Sequence, residues 1–347
     1  MSDPVPSVPS PPGAAPEPPV SVVLPTLDER RYLRDCLDSL LAQDYPNVTE
    51  ILVVDGGSSD GTRAMAEGRG DRVRLVANPG VTAAAAMNLG LKEASNDLIV
   101  RADAHTLYAP DYVRQSVRVL RESGASWAGG PMRPVGLTTF GRAVAAVTSS
   151  PFGIGPGRFH YGTVAQDVDT VYLGTFDRRR VWEVGGYDDV ELQWAAEDQE
   201  LNYRLRRVGH RIRMDPSIRS WYFPRQDARG LARQYVNYGM CKASTLKKHR
   251  TLPAWRPLVP AGLVAGAVLW MVAALACRRP RLLPVPPAAY LLGSAVVAGR
   301  LARDPGVAPH RALGALAVCH WGYGIGFWSG VGRIVRRRPF DARPSGR

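Results

Sequence analysis

The sequence predicts an α/β fold: a mostly parallel sheet with helices packed on it, followed by apolar C-terminal helices that attach the chain to a membrane. Three observations carry this. Between residues 20 and 105, short apolar runs alternate with amphipathic helical stretches, the pattern of βαβ units. The segments that close the apolar runs are turn-formers, as in "DGGSSDGT", where Gly, Ser and Asp allow the chain to reverse. After residue 257 come three uncharged stretches, 258–277, 282–299 and 312–332, each near the length that crosses ~30 Å of hydrocarbon as a helix.

The elements follow in order. "VSVVLP" is a buried strand stopped by proline. "DERRYLRDCLDSLLAQ" places Leu33, Leu37, Leu40 and Leu41 on one helical face. "EILVVDGGSSDGT" is a second strand running into a turn, and "RVRLVAN" a third strand. "TAAAAMNLGLKEA" is a helix, and "DLIVRADAH" a fourth strand that ends in Asp103 and His105, two residues apart. In such sheets ligands bind beyond the carboxyl ends of the strands, which lifts Asp55 and Asp103 above ordinary turn residues. "RGLARQYVNYGMCKASTLKKHR" forms a helix with Leu231, Tyr235, Tyr238 and Cys241 in one stripe. It packs on the domain as a surface helix or, as the apolar runs after it favour, lies at a membrane surface.

Composition sets the bounds. The chain has 347 residues, 45% of them hydrophobic, enough for one large domain or two smaller ones. Its 44 Lys and Arg against 31 Asp and Glu give a net charge of +13. That suits nucleic acid, phosphorylated small molecules or an anionic membrane surface, and does not choose among them. Four scattered cysteines without a CxxC pair argue against a zinc site or a disulfide framework, and fit a reducing compartment. The Pro-rich start, residues 1–19, lacks the basic and apolar regions of a signal peptide and is expected to be a disordered tail. The following domain is therefore expected to face the cytosol. The basic end, "RIVRRRPFDARPSGR", is expected to stay cytosolic as well, which requires an even number of crossings.

Five stretches, "SVVLPTLDE", "LLAQDYPNVTEILVVDGGSSDGT", "RADAH", "VGGYDD" and "AAEDQELNYRLRRVGHRI", occur in the order found in family 2 glycosyltransferases of the GT-A fold. The chain resembles that family over roughly residues 20–225. Its apolar C-terminal stretches resemble the membrane-attached bacterial members that build polysaccharides, including succinoglycan-type glucosyltransferases. The resemblance implies a nucleotide-sugar donor (a UDP-sugar is expected), a lipid-linked or polysaccharide acceptor, a divalent cation (Mn2+ or Mg2+) and no nucleic-acid partner. It implies a multi-pass protein of the cell membrane with its catalytic domain in the cytoplasm.

The resemblance also assigns roles. Pro25, Thr26 and Glu29 surround the base and ribose, and Asp55 accepts a hydrogen bond from the base. Asp103 and His105 match the family's Asp-x-Asp motif, which meets the metal and the donor phosphates. Imidazole in place of the second carboxylate tilts the site toward manganese. Asp198 matches the base that takes the acceptor's proton as inversion occurs, and Glu197 supports it on the acceptor side. Trp194 stacks on a sugar or only packs. Arg204, Arg206 and Arg207 read as solvated or phosphate-facing charges. "RQYVNYG" lacks the Arg-Trp of the Gln-x-x-Arg-Trp element in processive polymerases, which favours transfer of a single sugar.

Two other readings stay open. A nucleotidyltransferase making an activated sugar or lipid also uses a parallel sheet and a metal, but "LPTLDERR" has no phosphate-loop glycine. A non-catalytic membrane scaffold with a degenerate domain has only His105 in its favour. The expected organisation is a tail (1–19), a GT-A domain (20–225), an amphipathic interfacial helix or linker (226–256), a membrane region of two to three helices (257–332) and a basic tail (333–347). A chain ending at Arg225 is expected to be soluble.

Overall fold

The computed structural model describes residues 17–155, 157–192, 195–251, 255–256 and 258–337. Most of the Pro-rich stretch, Trp194 and the last residues of the basic tail lie outside the described residues.

The first half is β1 (Val20–Thr26), α1 (Arg30–Leu41), β2 (Val48–Asp55), α2 (Thr62–Glu67), β3 (Val73–Ala77), α3 (Ala83–Glu93) and β4 (Leu98–Arg101). These strands run parallel in the order β3-β2-β1-β4. Alternation along β1 serves both faces of the sheet: Val22 and Leu24 join α1 in one core, and Val23 joins α3 in the other. The apolar stripe of α1 is Leu33, Cys36, Leu37 and Leu40, with Leu41 at its half-buried margin. α3 lies directly on β1 because Gly90 has no side chain; a Cβ there would fall 2.4 Å from Val23 Cγ1.

The second half is β5 (Thr106–Tyr108), α4 (Tyr112–Ser123), β6 (Trp127–Gly130), α5 (Thr139–Thr148), α6 (Pro151–Ile154), β7 (Gln166–Asp167), β8 (Tyr172–Asp177), α7 (Arg178–Glu183), α8 (Glu197–Arg207), β9 (Ile212–Met214) and β10 (Ser220–Tyr222). The eight-stranded sheet reads β3-β2-β1-β4-β8-β6-β9-β7, with β8 antiparallel between β4 and β6. β5 and β10 pair separately. The expected fourth strand is shorter than its apolar and charged run: β4 stops at Arg101, and the chain turns through Asp103 into β5.

Four helices complete the chain: α9 (Ala228–His249), α10 (Leu258–Ala276), α11 (Val285–Leu301) and α12 (Pro309–Val335). Two segments, Leu258–Ala276 and Pro280–Leu301, are long and apolar enough to cross a membrane, and only 11% of each window is buried. Among the described residues α12 is not a third such helix. It packs along α9 through Gly322, Gly326 and Gly330, spaced four apart. A Cβ on Gly326 would fall 2.1 Å from Val236 O, and one on Gly239 2.1 Å from Tyr323 O. Small residues at this spacing let two helix backbones touch.

α9 is correspondingly buried at Leu231, Tyr235 and Cys241, while Tyr238 is 37% exposed. One apolar cluster joins Ala143, Val144 and Val147 of α5 to Leu231 of α9, Ala298 of α11 and Ala312, Ala315 and Leu316 of α12. Packing therefore crosses residue 225. A chain ending at Arg225 leaves the α5 face open to water. It should aggregate, eluting in the void of a sizing column rather than as a soluble monomer.

Candidate active site

The carboxyl ends of β1, β2 and β4 converge on one side of the sheet. Register pairs Pro25 with Val54 and Thr26 with Asp55. Asp55 is 1% exposed. Its carboxylate accepts from Gly57 N and Ser58 N at 3.0 Å each, from Ser58 Oγ, and from Thr26 Oγ1 at 3.4 Å. A carboxylate has about four acceptor positions, so a base N–H reaching Asp55 displaces one of these, the Ser58 hydroxyl being the free rotor. Gly57 and Gly61 hold the turn at φ 91° and 96°, where a side chain is disfavoured.

The loops after β1 and β2 are stitched into one unit. Asp28 N donates to Ser58 Oγ (2.8 Å), Ser59 N to Asp28 Oδ1 (2.9 Å), Glu29 N to Thr62 Oγ1 (2.9 Å) and Arg30 N to Asp60 Oδ2 (3.0 Å). Burial works to raise the Asp60 carboxyl, but the Thr62 hydroxyl and the backbone N–H groups of Arg30 and Thr62 outweigh it and hold it below its usual range. Glu29 is thereby fixed at the start of α1.

Glu29 stands next to the strand-end acid and imidazole. Its carboxylate joins Asp103 and His105, and one donor atom from each lies within 4.8 Å of the others. His105 Nδ1 is 2.6 Å from Asp103 Oδ1 and 3.4 Å from Glu29 Oε1. Neighbouring ligands on an ion with ~2.1 Å bonds sit about 3 Å apart, so the spacing fits a divalent cation held by two carboxylates and an imidazole. His105 and Glu29 side chains are buried, and Asp103 keeps 27% of its side chain exposed. The turn is held from behind: Asp103 N donates to Tyr108 Oη (2.7 Å), Phe223 N donates to His105 O (3.0 Å), and the imidazole packs on Tyr222 with ring centroids 5.2 Å apart.

Glu197 and Asp198 open α8 directly after Ala196, whose φ of 65° is a left-handed conformation uncommon for alanine. Neither is merely a helix-end charge. Arg101, the residue that ends β4, reaches both: Nη2 donates to Glu197 Oε1 at 3.0 Å, and Nη1 pairs with Asp198 Oδ1. The Tyr187 ring lies 5.6 Å from the guanidinium. Burial opposes the Arg101 charge, but Tyr187, Glu197 and Asp103 outweigh it, and its pKa is raised. One buried cation thus links the end of β4 to the start of α8.

Removing one partner of a buried pair leaves an uncompensated charge and costs about 3–5 kcal/mol. Arg101→Met should lower unfolding stability by that order in a denaturant titration, and Arg101→Lys by less.

The "VGGYDD" loop is clamped to α3 by Asn88, whose Nδ2 donates to Tyr187 O (2.8 Å) and whose Oδ1 accepts from Tyr187 N (2.8 Å). α8 is anchored by Glu200, 1% exposed, which binds Arg204, Lys248 and His249 together. Burial alone would raise the Glu200 carboxyl, but hydrogen bonds from Arg204 and Lys248 hold it below its usual range. Arg204 is therefore no solvated charge: it also donates to Val184 O and Gly186 O. Arg101 and Glu200 carry no motif. The signals in the sequence are a charge closing an apolar strand and an acid four residues before an arginine on one helix.

The profile of "Glycosyl transferase family 2" matches residues 21–167. The succinoglycan biosynthesis protein ExoA of Rhizobium meliloti (strain 1021) is 32% identical over 316 residues, covering 88% of this chain and 93% of its own. The dolichyl N-acetyl-alpha-D-glucosaminyl phosphate 3-beta-D-2,3-diacetamido-2,3-dideoxy-beta-D-glucuronosyltransferase of Methanococcus voltae is 24% identical over 240 residues, covering 66% of this chain and 74% of its own. Among solved structures, the mannosyltransferase PcManGT from Pyrobaculum calidifontis, in complex with GDP-Man and Mn2+, superposes with a TM-score of 0.55 at 21% identity, covering 90% of this chain and 87% of that one. The structural likeness speaks to the fold.

Proposed function

The chain belongs to glycosyl transferase family 2 and is a glycosyltransferase of GT-A fold, and from that premise we propose that it moves a sugar, with inversion, from a nucleotide-sugar to a lipid-linked or polysaccharide acceptor in exopolysaccharide or cell-envelope glycan synthesis. The observation that carries the reading is the buried arginine Arg101, between the Glu29–Asp103–His105 cluster and the Glu197–Asp198 pair. Donor activation and acceptor deprotonation need such groups on adjacent elements.

In this reading Pro25, Thr26 and Asp55 hold the base and ribose at the ends of β1 and β2. Glu29, Asp103 and His105 hold the divalent cation, Mn2+ or Mg2+, which when bound offsets charge on the leaving diphosphate. Asp198 takes the proton from the acceptor hydroxyl as it attacks the anomeric carbon, and Glu197 with Arg101 orients that carboxylate. The names of the Rhizobium and Methanococcus relatives support a glycan product and a lipid-phosphate acceptor, respectively.

α10 and α11 serve as two membrane crossings. Two crossings put the catalytic domain and the basic C-terminal tail on the same, cytoplasmic side, as the excess of Lys and Arg favours. The test is a donor screen: membranes containing the protein receive radiolabelled UDP- and GDP-sugars with Mn2+ or Mg2+, and label is scored in extractable lipid and in polysaccharide. No incorporation from any nucleotide-sugar would sink the reading.

A further inference from the structure

The last turn of α9 grips the face of α8 that lies behind Glu197 and Asp198. Lys248 bridges two carboxylates there: its Nζ donates to Asp188 Oδ2 at 2.5 Å and to Glu200 Oε1 at 2.8 Å. His249 Nε2 lies 2.9 Å from the same Glu200 oxygen. Tyr203, the next residue along that face of α8, meets the same stretch of chain. Its hydroxyl is 2.8 Å from Thr251 Oγ1, and its ring stands edge-on to His249 with centroids 4.7 Å apart.

These contacts close a ring. Glu200 also accepts from Arg204 Nε at 2.9 Å and from Arg204 Nη2 at 2.7 Å. Arg204 Nη2 in turn donates to Gly186 O at 2.7 Å, on the loop that carries Asp188. Asp188 braces that loop from within, since its Oδ1 accepts from Val190 N at 3.0 Å and from Glu191 N at 2.8 Å. Two carboxylates face one lysine and one arginine, so the ring is balanced in charge, and its centre is dry: the Glu200 side chain has no exposed surface. The 184–191 loop, α8 and the end of α9 are thereby held as one body.

What this body carries is specific. Glu200 lies one turn from Glu197 and close behind Asp198 on the same helix. Asp188 directly follows Tyr187, whose ring lies 5.6 Å from the Arg101 guanidinium, and Arg101 is the partner of both Glu197 and Asp198. Lys248 therefore reaches Asp198 from two directions, through the helix and through the arginine's platform. Asp55 and Glu29, by contrast, are held from Ser58 and Thr62 in the loop after β2.

We propose that Lys248 is a positioning residue for sugar transfer: by pinning Asp188 and Glu200 together it fixes the start of α8 and so aims Asp198 at the acceptor hydroxyl. The inference rests on the reading of Asp198 as the base. A base must come within hydrogen-bond reach of the proton it takes, and a displacement of about 1 Å can cost about a hundredfold in rate.

The test uses the full-length protein in detergent with Lys248→Met and Lys248→Arg. Methionine keeps much of the stem's bulk, and Glu200 retains Arg204 and His249, so the variant should fold. Arginine can bridge both carboxylates with its fork. Binding of UDP and GDP with Mn2+ reports the donor groups, and its stoichiometry counts intact sites. Radiolabel passing from UDP- and GDP-sugars into extractable lipid and polysaccharide reports turnover. Lys248→Met should bind nucleotide as the parent does and turn over about ten- to hundredfold more slowly, and Lys248→Arg should recover most of the loss. Added to Asp198→Asn, Lys248→Met should slow the residual transfer by less than about twofold, because the group it positions no longer acts.

Parent-like turnover in Lys248→Met overturns the proposal. So does a full further loss in the double variant, or nucleotide binding that falls in step with turnover, which would give the lysine a role in overall stability alone. Hydrogen exchange gives a readout independent of activity: amides of 186–191 and 197–201 should exchange faster in Lys248→Met and those of 55–62 at the parent's rate. Unchanged exchange at 197–201 also overturns it. An indifferent Asp198→Asn in an active parent defeats the reading of Asp198 as base, whereas a slow Asp198→Asn beside an indifferent Lys248→Met defeats only the positioning role.

Discussion

Asp198→Asn should bind nucleotide-sugar nearly as tightly as the parent and transfer its sugar about 10²–10⁴-fold more slowly, the usual contribution of a positioned general base. Asparagine keeps the size of the side chain, and its amide oxygen can still face Arg101, the partner of Asp198 in the structure. The helix start and the buried arginine therefore stay in place, and the lost capacity is proton acceptance. Because that capacity matters in the transition state, the effect should fall on kcat and leave donor affinity alone. Donor binding by titration calorimetry and turnover by radiolabel transfer separate the two. Near-parent turnover would move the base to Glu197, whose Oε1 is 3.0 Å from Arg101 Nη2.

Asp103→Ala should remove both donor binding and transfer, and excess EDTA should do the same to the parent. Asp103 is the most open of the three clustered groups, with 27% of its side chain exposed against 8% for Glu29 and 6% for His105, so it is the ligand best placed to meet an arriving cation. A readout independent of turnover exists: a ligand at a hundred times its dissociation constant stabilises a fold by about 2.7 kcal/mol. Manganese should raise the unfolding temperature of the parent and leave that of Asp103→Ala unchanged. His105→Asp should retain some activity and shift the preference toward magnesium, since a carboxylate is the harder ligand. Full activity in excess EDTA would end the case for a cation at this cluster.

Much of the fold was legible because its signals are local. The alternation of apolar runs and helical stripes between residues 20 and 105 became β1 to β4 with α1 and α3 between them. Asp55 ends β2 and Asp103 lies in the turn just after β4, on the same side, because a parallel sheet gathers its carboxyl ends there. Motifs brought Glu197 and Asp198 into view for the same reason: each is a short stretch whose residue types and spacing survive without knowledge of their neighbours.

Other features depended on which distant residues meet. The resemblance put Glu29 near the base and ribose, and the fold adds that its carboxylate lies with His105 and Asp103, with Thr62 fixing the start of α1 from the next loop. Arg101 has no motif of its own; its role exists only where β4 and α8 come together. Likewise 312–332 carries the composition of a membrane helix, but Gly322, Gly326 and Gly330 within it meet α9, and that same contact carries the packing past residue 225. Sequence by itself determined the order of elements, the strand-end carboxylates and the apolar lengths, because hydrophobic periodicity and turn chemistry act over a few residues. Only the tertiary structure decided which buried charges are shared and which apolar helix is covered, because those are long-range contacts whose free energy belongs to pairs of residues rather than to any one stretch of chain.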